Sequence, residues 1–294
     1  MSDNEIAQFK RALTKSKPDF EIIEAMLVDY PGLLNTQNEY GHTALMVAII
    51  NHKWPLIEYL HEEGAGLEQK NSIGDTAFLL AARFTFPFVL RTLVARGAQT
   101  NVQNDLGDTA LIYAIRNGRL DVVKYLCEEV VGLDMNQENN DHLTPLMFAA
   151  ISNKLELVQY LHEVGHVNEA NHKGETVLMA AAESGHLRIV QYLCNIGVDM
   201  NARDRYGDTA LMCAVFQSQG EVIRYLISRG ALVYRIPGVY INYRELVSKQ
   251  YHRTLVFTMM THLSRVGSQS SLRPLQASEL YRRLLEMMTG EKPL

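Results

Sequence analysis

An all-α solenoid of stacked helix-turn-helix units, with a C-terminal helical extension, is the fold class that the 294-residue sequence predicts. One phrase recurs: Gly41-His-Thr-Ala-Leu-Met, Gly74-Asp-Thr-Ala-Phe-Leu, Gly107-Asp-Thr-Ala-Leu-Ile, His142-Leu-Thr-Pro-Leu-Met, Gly174-Glu-Thr-Val-Leu-Met and Gly207-Asp-Thr-Ala-Leu-Met. Its copies begin 33, 33, 35, 32 and 33 positions apart, a period that belongs to repeat arrays. A second phrase follows each copy, as in Val122-Val-x-Tyr-Leu and Ile189-Val-x-Tyr-Leu, and a Gly comes after it at 64, 97, 132, 165, 197 and 230. Composition agrees. Hydrophobic residues make up 47% and charged residues 21%, enough to build a core.

Each unit reads as two short antiparallel helices and a turn. The Thr of the first phrase is a helix N-cap, its hydroxyl accepting an otherwise unpaired backbone N–H. Small residues such as Ala81-Ala82 and Ala180-Ala181-Ala182 let neighbouring helices approach closely. Ile189, Val190 and Leu193 form one buried face of a second helix, and the Gly after it ends that helix in a left-handed conformation. An Asn- or Asp-bearing stretch, as in Asp199-Met-Asn-Ala-Arg-Asp204, then turns the chain.

These phrases resemble the ankyrin repeat family over residues 38–235. The resemblance rests on Thr-(Ala/Pro/Val)-Leu-x-x-Ala, Ile-Val-x-Tyr-Leu, the ending Gly197-Val-Asp-Met-Asn-Ala and the period. It implies an ankyrin-repeat solenoid with hairpin-like loops. Two features depart from the family pattern. Its usual His after Thr-Pro-Leu is Met46, Leu79, Ile112, Met147, Met179 and Met212 here. His142 replaces the turn Gly, where a positive φ is costly, so that loop is expected to differ.

The ends are distinct. Residues 1–37 are expected to form a helical capping half-repeat, because an array must be polar at its outer faces. Ile6, Phe9 and Leu13 form one stripe and Ile23, Met26, Leu27 and Tyr30 a second, with Lys10, Arg11, Lys15 and Lys17 facing water. Residues 236–294 break the repeat at Pro237-Gly238 and read as helices over 243–263 and from Ser278, with a flexible joint near 267–274. Residues 231–294 carry nine basic and four acidic side chains, a balance of +5, which leaves −10 on residues 1–230. That negative balance argues against nucleic acid on the array and favours a protein or peptide partner of basic or mixed charge.

No chemistry-bearing motif survives scrutiny. His162-Glu163-Val164-Gly165-His166 matches a zinc-protease string, but Gly165 ends the helix that would have to carry both histidines. Cys127 and Cys194 share one repeat position two units apart and read as small packed hydrophobes. No catalytic residue, metal site or cofactor is expected. Three cysteines make no disulfide framework, no apolar run approaches the ~18 residues of a membrane span, and the polar, acidic N-terminus is no signal peptide. A monomer in the cytoplasm is the expectation, with the nucleus or a host-cell cytosol left open.

What remains is a surface. The resemblance implies a partner lying on the concave face, made by the loop tips and the exposed side of the first helices. Carried onto this chain, its residues are Tyr40, His42, Ile50, Ile73, Asp75, Arg83, Phe84, Leu106, Asp108, Arg116, Leu143, Ile151, Lys173, Glu175, Arg205, Tyr206, Asp208 and Phe216. Asn201 sits in a pattern like that at which ankyrin repeats are hydroxylated, and it also suits a hairpin-closing role by local hydrogen bonds. Arg83-Phe-Thr-Phe-Pro-Phe88 is either a repacked joint between helices or a binding anchor. The reading is a non-enzymatic interaction scaffold. The alternatives are an adaptor or injected effector whose C-terminal helices recruit a second component such as a ubiquitin ligase, and an enzyme using Tyr251, His252 and His262.

Overall fold

The structure is a computed structural model that describes residues 3–14, 19–84, 86–165, 170–217, 219–231, 235–236 and 239–240. It divides into two compact units, residues 1–148 and 149–294. The expected helices beyond residue 240, and Lys15, Lys17 and His166, lie outside the described residues.

Unit 1 begins with α1 (Asp3–Thr14) and α2 (Phe20–Asp29), followed by a single 3-10 turn, Pro31–Leu33. Phe9, Leu13, Ile23, Met26 and Leu27 are buried, Ile6 and Tyr30 are half-buried, and Lys10 and Arg11 are exposed. Helix pairs follow: α3 (Ala44–Ile50) with α4 (Trp54–Glu62), α5 (Ala77–Phe84) with α6 (Pro87–Ala95), and α7 (Ala110–Arg116) with α8 (Leu120–Glu129). The unit boundary falls within α9 (Pro145–Ile151). Unit 2 continues with α10 (Leu155–Glu163), α11 (Val177–Glu183), α12 (Leu187–Asn195), α13 (Ala210–Phe216) and α14 (Gly220–Ser228). A short antiparallel ladder, not expected from the sequence, pairs β1 (Arg235–Ile236) with β2 (Val239–Tyr240) in the register Arg235↔Tyr240, Ile236↔Val239.

Most first helices have only seven residues, fewer than the roughly 12–15 at which an isolated helix becomes even marginal. Two things hold them. All six cap threonines (Thr43, Thr76, Thr109, Thr144, Thr176 and Thr209) accept the N–H of the residue three positions on, at 3.3–3.4 Å. Burial does the rest. Every residue of α7 from Ala110 to Ile115 is buried, and α7 packs on α5 and α8. In unit 2, α11 packs on α13 in the same way, and Ile189, Val190 and Leu193 of α12 are fully buried as expected. The small alanines permit the close spacing, and deleting a buried aliphatic side chain here costs about 2–5 kcal/mol.

All six second helices begin without a side-chain cap. In five of them a backbone N–H at the turn returns to the first helix: Lys53 to Ala48, Arg119 to Ala114, Lys154 to Ala149, His186 to Ala181 and Gln219 to Ala214. The joint at 83–88 is different. Phe86 and Phe88 pack edge-on against Trp54, at 6.3 and 5.0 Å between ring centroids, and the Arg119 guanidinium lies 5.2 Å from the Phe86 ring. Phe86 and Phe88 therefore form a repacked joint, although both stay about half exposed.

Each hairpin turns on one side-chain oxygen. Asn38, Asn71, Asn104, Asn139, Asn171 and Asp204 each accept the backbone N–H groups two and four residues on. Each also donates its own backbone N–H to the carbonyl four residues on. Consecutive hairpins are then tied by backbone bonds. In unit 1 these run from Ser72 to Tyr40, Asp105 to Ile73 and Asn140 to Leu106; in unit 2, from Arg205 to Lys173. The approach is close: a Cβ on Gly41, whose φ is +75°, would lie 2.6 Å from the Ser72 nitrogen.

His142 corrects an expectation. It adopts φ 65° in place of a glycine, and its hairpin keeps the common geometry, with Asn139 accepting from Asp141 and Leu143. The two bonds to the Asn139 side chain and the tie to Leu106 outweigh the roughly 1–2 kcal/mol that a left-handed residue costs.

Asn38→Ala should lower stability by about 2 kcal/mol, because two N–H groups lose their acceptor at about 1 kcal/mol each. Asn38→Asp, which keeps the acceptor, should recover most of that loss. Urea unfolding of the two variants checks this; an Ala variant with the wild-type midpoint would show that the bracket contributes nothing.

Candidate functional site

The hairpin tips of unit 1 form an apolar row. Tyr40, Ile73 and Leu106 occupy the same position in consecutive hairpins and are 53%, 47% and 61% exposed. The backbone ties between hairpins hold them in sequence. Tyr206 takes the equivalent position in unit 2 and is 66% exposed. A repeat does not need large apolar groups at solvent-facing tips.

Two expected surface residues are not on the surface. Asp75 and Asp108 are fully buried. They follow the turn glycine, where the N–H is bracketed by Asn71 or Asn104 and the side chain turns inward. Asp75 accepts from the Tyr113 hydroxyl at 2.9 Å and from Asn104 Nδ2 at 3.1 Å, and Asn104 Nδ2 also donates to the Tyr113 oxygen at 2.9 Å. Burial raises the Asp75 carboxyl above its ordinary value, opposed by those two donors and by Arg83. Burial, then the charge of Asp75, pushes the Tyr113 phenol up to about 12. Asp108 accepts from Asn139 Nδ2 at 3.2 Å and pairs with Arg116 at 2.7 Å.

The same network engages two of the three arginines of the predicted surface. Arg83, half-buried, places its guanidinium 4.8 Å from the Phe84 ring centroid and 5.3 Å from that of Tyr113. Arg116, exposed, lies 5.6 Å from Tyr113 and 5.0 Å from Phe148. Tyr113 is thus flanked by two cations while its hydroxyl is anchored on Asp75 (a core residue whose role the repeat pattern does not reveal). Phe84, Ile50, His42 and Leu143 are half-buried. Burial lowers the His42 pKa, with Asp75 opposing.

In unit 2, Arg205 is exposed, and Ile151, Lys173, Glu175, Asp208 and Phe216 are half-buried. Glu175 accepts from Asn171 Nδ2 at 2.6 Å. Asn201 is half-buried and its backbone N–H donates to Asp199. His162, from the zinc-protease string, hydrogen-bonds through Nδ1 to the Tyr192 hydroxyl at 2.6 Å, and α10 ends at Glu163, before Gly165. Burial raises the thiols of Cys127, to about 12, and Cys194, to about 11, which suits packed hydrophobes. No helix among the described residues is long and apolar enough to cross a membrane.

The bracket residues are a further group that the repeat pattern alone does not single out. Their signal is present in the sequence: an Asn or Asp stands three residues before the turn position in all six units.

Burial, and then Asp204, push the Asp208 carboxyl up to about 6. An acid whose folded value lies above its unfolded one holds its proton more tightly in the folded state, so its contribution weakens the fold as pH rises from about 4 to about 6. Asp208→Asn should flatten that stretch of the thermal midpoint against pH and raise the midpoint at neutral pH. Parallel profiles for the two proteins would contradict the assignment.

Comparison with known proteins agrees with this geometry. The family model for ankyrin repeats in three copies matches residues 78–170 and 154–235, and that for ankyrin repeats in many copies matches residues 20–81. Ankyrin repeat and SAM domain-containing protein 6 of Rattus norvegicus is 30% identical over 120 residues, 40% of this chain and 10% of that protein. Its Mus musculus counterpart is 29% identical over the same shares. The chain thus matches about a tenth of the length of these relatives. Among solved structures, the ankyrin repeat domain of Bcl-3, described as a unique member of the IkappaB protein family, aligns with a TM-score of 0.61 at 24% identity, covering 76% of this chain and 98% of that one. Ankyrin repeats are generally protein–protein interaction modules. With its family models spanning residues 20–235, the chain belongs to the ankyrin repeat family.

Proposed function

We propose that this chain is a non-enzymatic scaffold that holds a partner protein or peptide on the concave face of its repeats. The observation that carries the reading is the row Tyr40, Ile73 and Leu106, exposed at the tips of hairpins that bond to one another. Phe84 and Arg83 stand at the end of α5, and Tyr206 continues the tip position in unit 2. Aromatic and Arg side chains are the groups that anchor interfaces.

The mechanism is preorganisation. The tips are fixed by their bracket and by the next hairpin, so binding orders few additional groups, and less of the contact energy is lost to ordering. Residues 38–235 serve as the binding array and residues 1–37 as its N-terminal cap. The chain acts as a monomer in the cytoplasm, a compartment that suits three free thiols.

Phe84→Ala and Tyr206→Ala should each weaken binding of the native partner about tenfold, as truncation of an interface anchor does, while leaving the helical circular dichroism unchanged. The partner is first captured from the native cell and then titrated in purified form. Unchanged affinity in both variants would remove this face as the site.

A further inference from the structure

One repeat lacks the tyrosine that the others carry on their second helix. The second phrase of the repeat ends in Tyr-Leu at Tyr59, Tyr125, Tyr160, Tyr192 and Tyr225, but in Thr92-Leu93 in the remaining copy. The residue after that Leu is a histidine in two repeats, His61 and His162. In unit 2 the two positions meet across neighbouring repeats. His162 Nδ1 and the Tyr192 hydroxyl lie 2.6 Å apart, with the rings edge-on at 5.7 Å between centroids. In unit 1 the corresponding pair is His61 and Thr92. A threonine side chain is too short to stand in for a phenol, and the Thr92 hydroxyl donates instead to the Phe88 carbonyl of its own helix at 3.0 Å.

His61 thus loses the partner that its counterpart has. It is only 6% exposed. Its carbonyl accepts from Arg96 Nη1 at 2.9 Å, but among the described residues no group hydrogen-bonds its imidazole. Buried polar groups are hydrogen-bonded in folded proteins. Burial, and then the charge of Arg96, lower the His61 pKa, with Glu62 opposing. The imidazole is therefore neutral at pH 7, with one donor and one acceptor nitrogen. Together with Thr92 and Phe88 it lines a cleft of about 510 Å³ between α4 and α6, a size within the roughly 300–1,000 Å³ of ligand sites. Two acids, Glu58 and Glu62, and two arginines, Arg91 and Arg96, also border the cleft. That balance selects neither an anion nor a cation, and Arg91 is already paired with Glu129 at 2.6 Å.

We infer that this cleft is a binding site for a phenol ring, the tyrosine side chain of a partner protein, which takes the place that Thr92 leaves open and hydrogen-bonds the His61 imidazole beside Phe88. The other repeats specify the ligand: five of them supply a tyrosine at this position, and His162 shows what a histidine there does with it. A phenylalanine of the same shape would bury the imidazole without a partner, which costs affinity. The cleft shares no residue with the hairpin-tip row, so the site is independent of the proposed binding face.

Titration of p-cresol, the tyrosine side chain without its backbone, into the full chain tests this, with the methyl resonances of Thr92 and Ala95 as readout. Both methyls line the cleft and should shift saturably. Toluene, which lacks the hydroxyl, should bind about tenfold more weakly. His61→Phe should bind the two compounds alike. Thr92→Tyr, which restores the residue of the other five repeats, should abolish the response at Ala95 and raise the thermal midpoint. N-acetyltyrosinamide should shift the same methyls as p-cresol. No saturable shift in the wild-type chain, equal affinity for p-cresol and toluene, or a p-cresol response that survives in Thr92→Tyr overturns the inference. Binding of p-cresol without binding of N-acetyltyrosinamide overturns the assignment to a partner's tyrosine.

Discussion

Six side-chain oxygens, on Asn38, Asn71, Asn104, Asn139, Asn171 and Asp204, each close a hairpin by accepting two backbone N–H groups. Five of these side chains are buried, where an orphaned donor costs about 1–3 kcal/mol. The rest of each unit follows from that closure. It sets the entry into the Thr cap of the next helix, and it aligns one hairpin's carbonyl with the next hairpin's N–H. Helices of about two turns, unstable alone, then meet at a fixed spacing and bury their alanine-rich faces.

The same closure separates what the tips expose from what they hide. The residue two positions after the bracket points to solvent, as Tyr40, Ile73 and Leu106 do; in the second and third units the residue four positions after it points inward, as Asp75 and Asp108 do. Buried carboxylates need donors, and Tyr113, Asn104, Asn139 and Arg116 supply them. Formal charge summed over residues 1–230 therefore overstates the negative charge at the surface. Two carboxylates are withdrawn inside, while Arg83 is half-buried and Arg116 exposed.

Much of the fold is legible in the residues themselves. Thr43 through Thr209 read as caps because a hydroxyl before an apolar run has few other roles, and the Ile189-Val-x-Tyr-Leu face follows from helical spacing. The inward turn of Asp75 and Asp108 is not legible. Periodicity marks a position as repeated, and a repeated acid looks the same whether it faces water or a neighbouring Tyr hydroxyl. The Tyr113 position is Val47 and Leu80 in the two units before it, so the pattern of the array conceals its hydrogen bond. His142 misleads for the opposite reason: a local rule about positive φ is outweighed by two bonds to Asn139 and one from the adjacent hairpin. At Arg83-Phe-Thr-Phe-Pro-Phe88 the residue pattern leaves joint and anchor open; Phe86 and Phe88 pack on Trp54 as a joint, while Arg83 and Phe84 belong to the proposed face.

Residue-resolved amide hydrogen exchange on the free chain tests the central claim, that the tips are rigid before any partner arrives. The N–H groups of Asp75 and Asp108, bracketed by Asn71 and Asn104, should exchange as slowly as those of α7, because opening a hairpin must also break its bonds to the neighbouring hairpin. Exchange of these amides at the rate of unprotected loop, with α7 still protected, would contradict a preformed binding face.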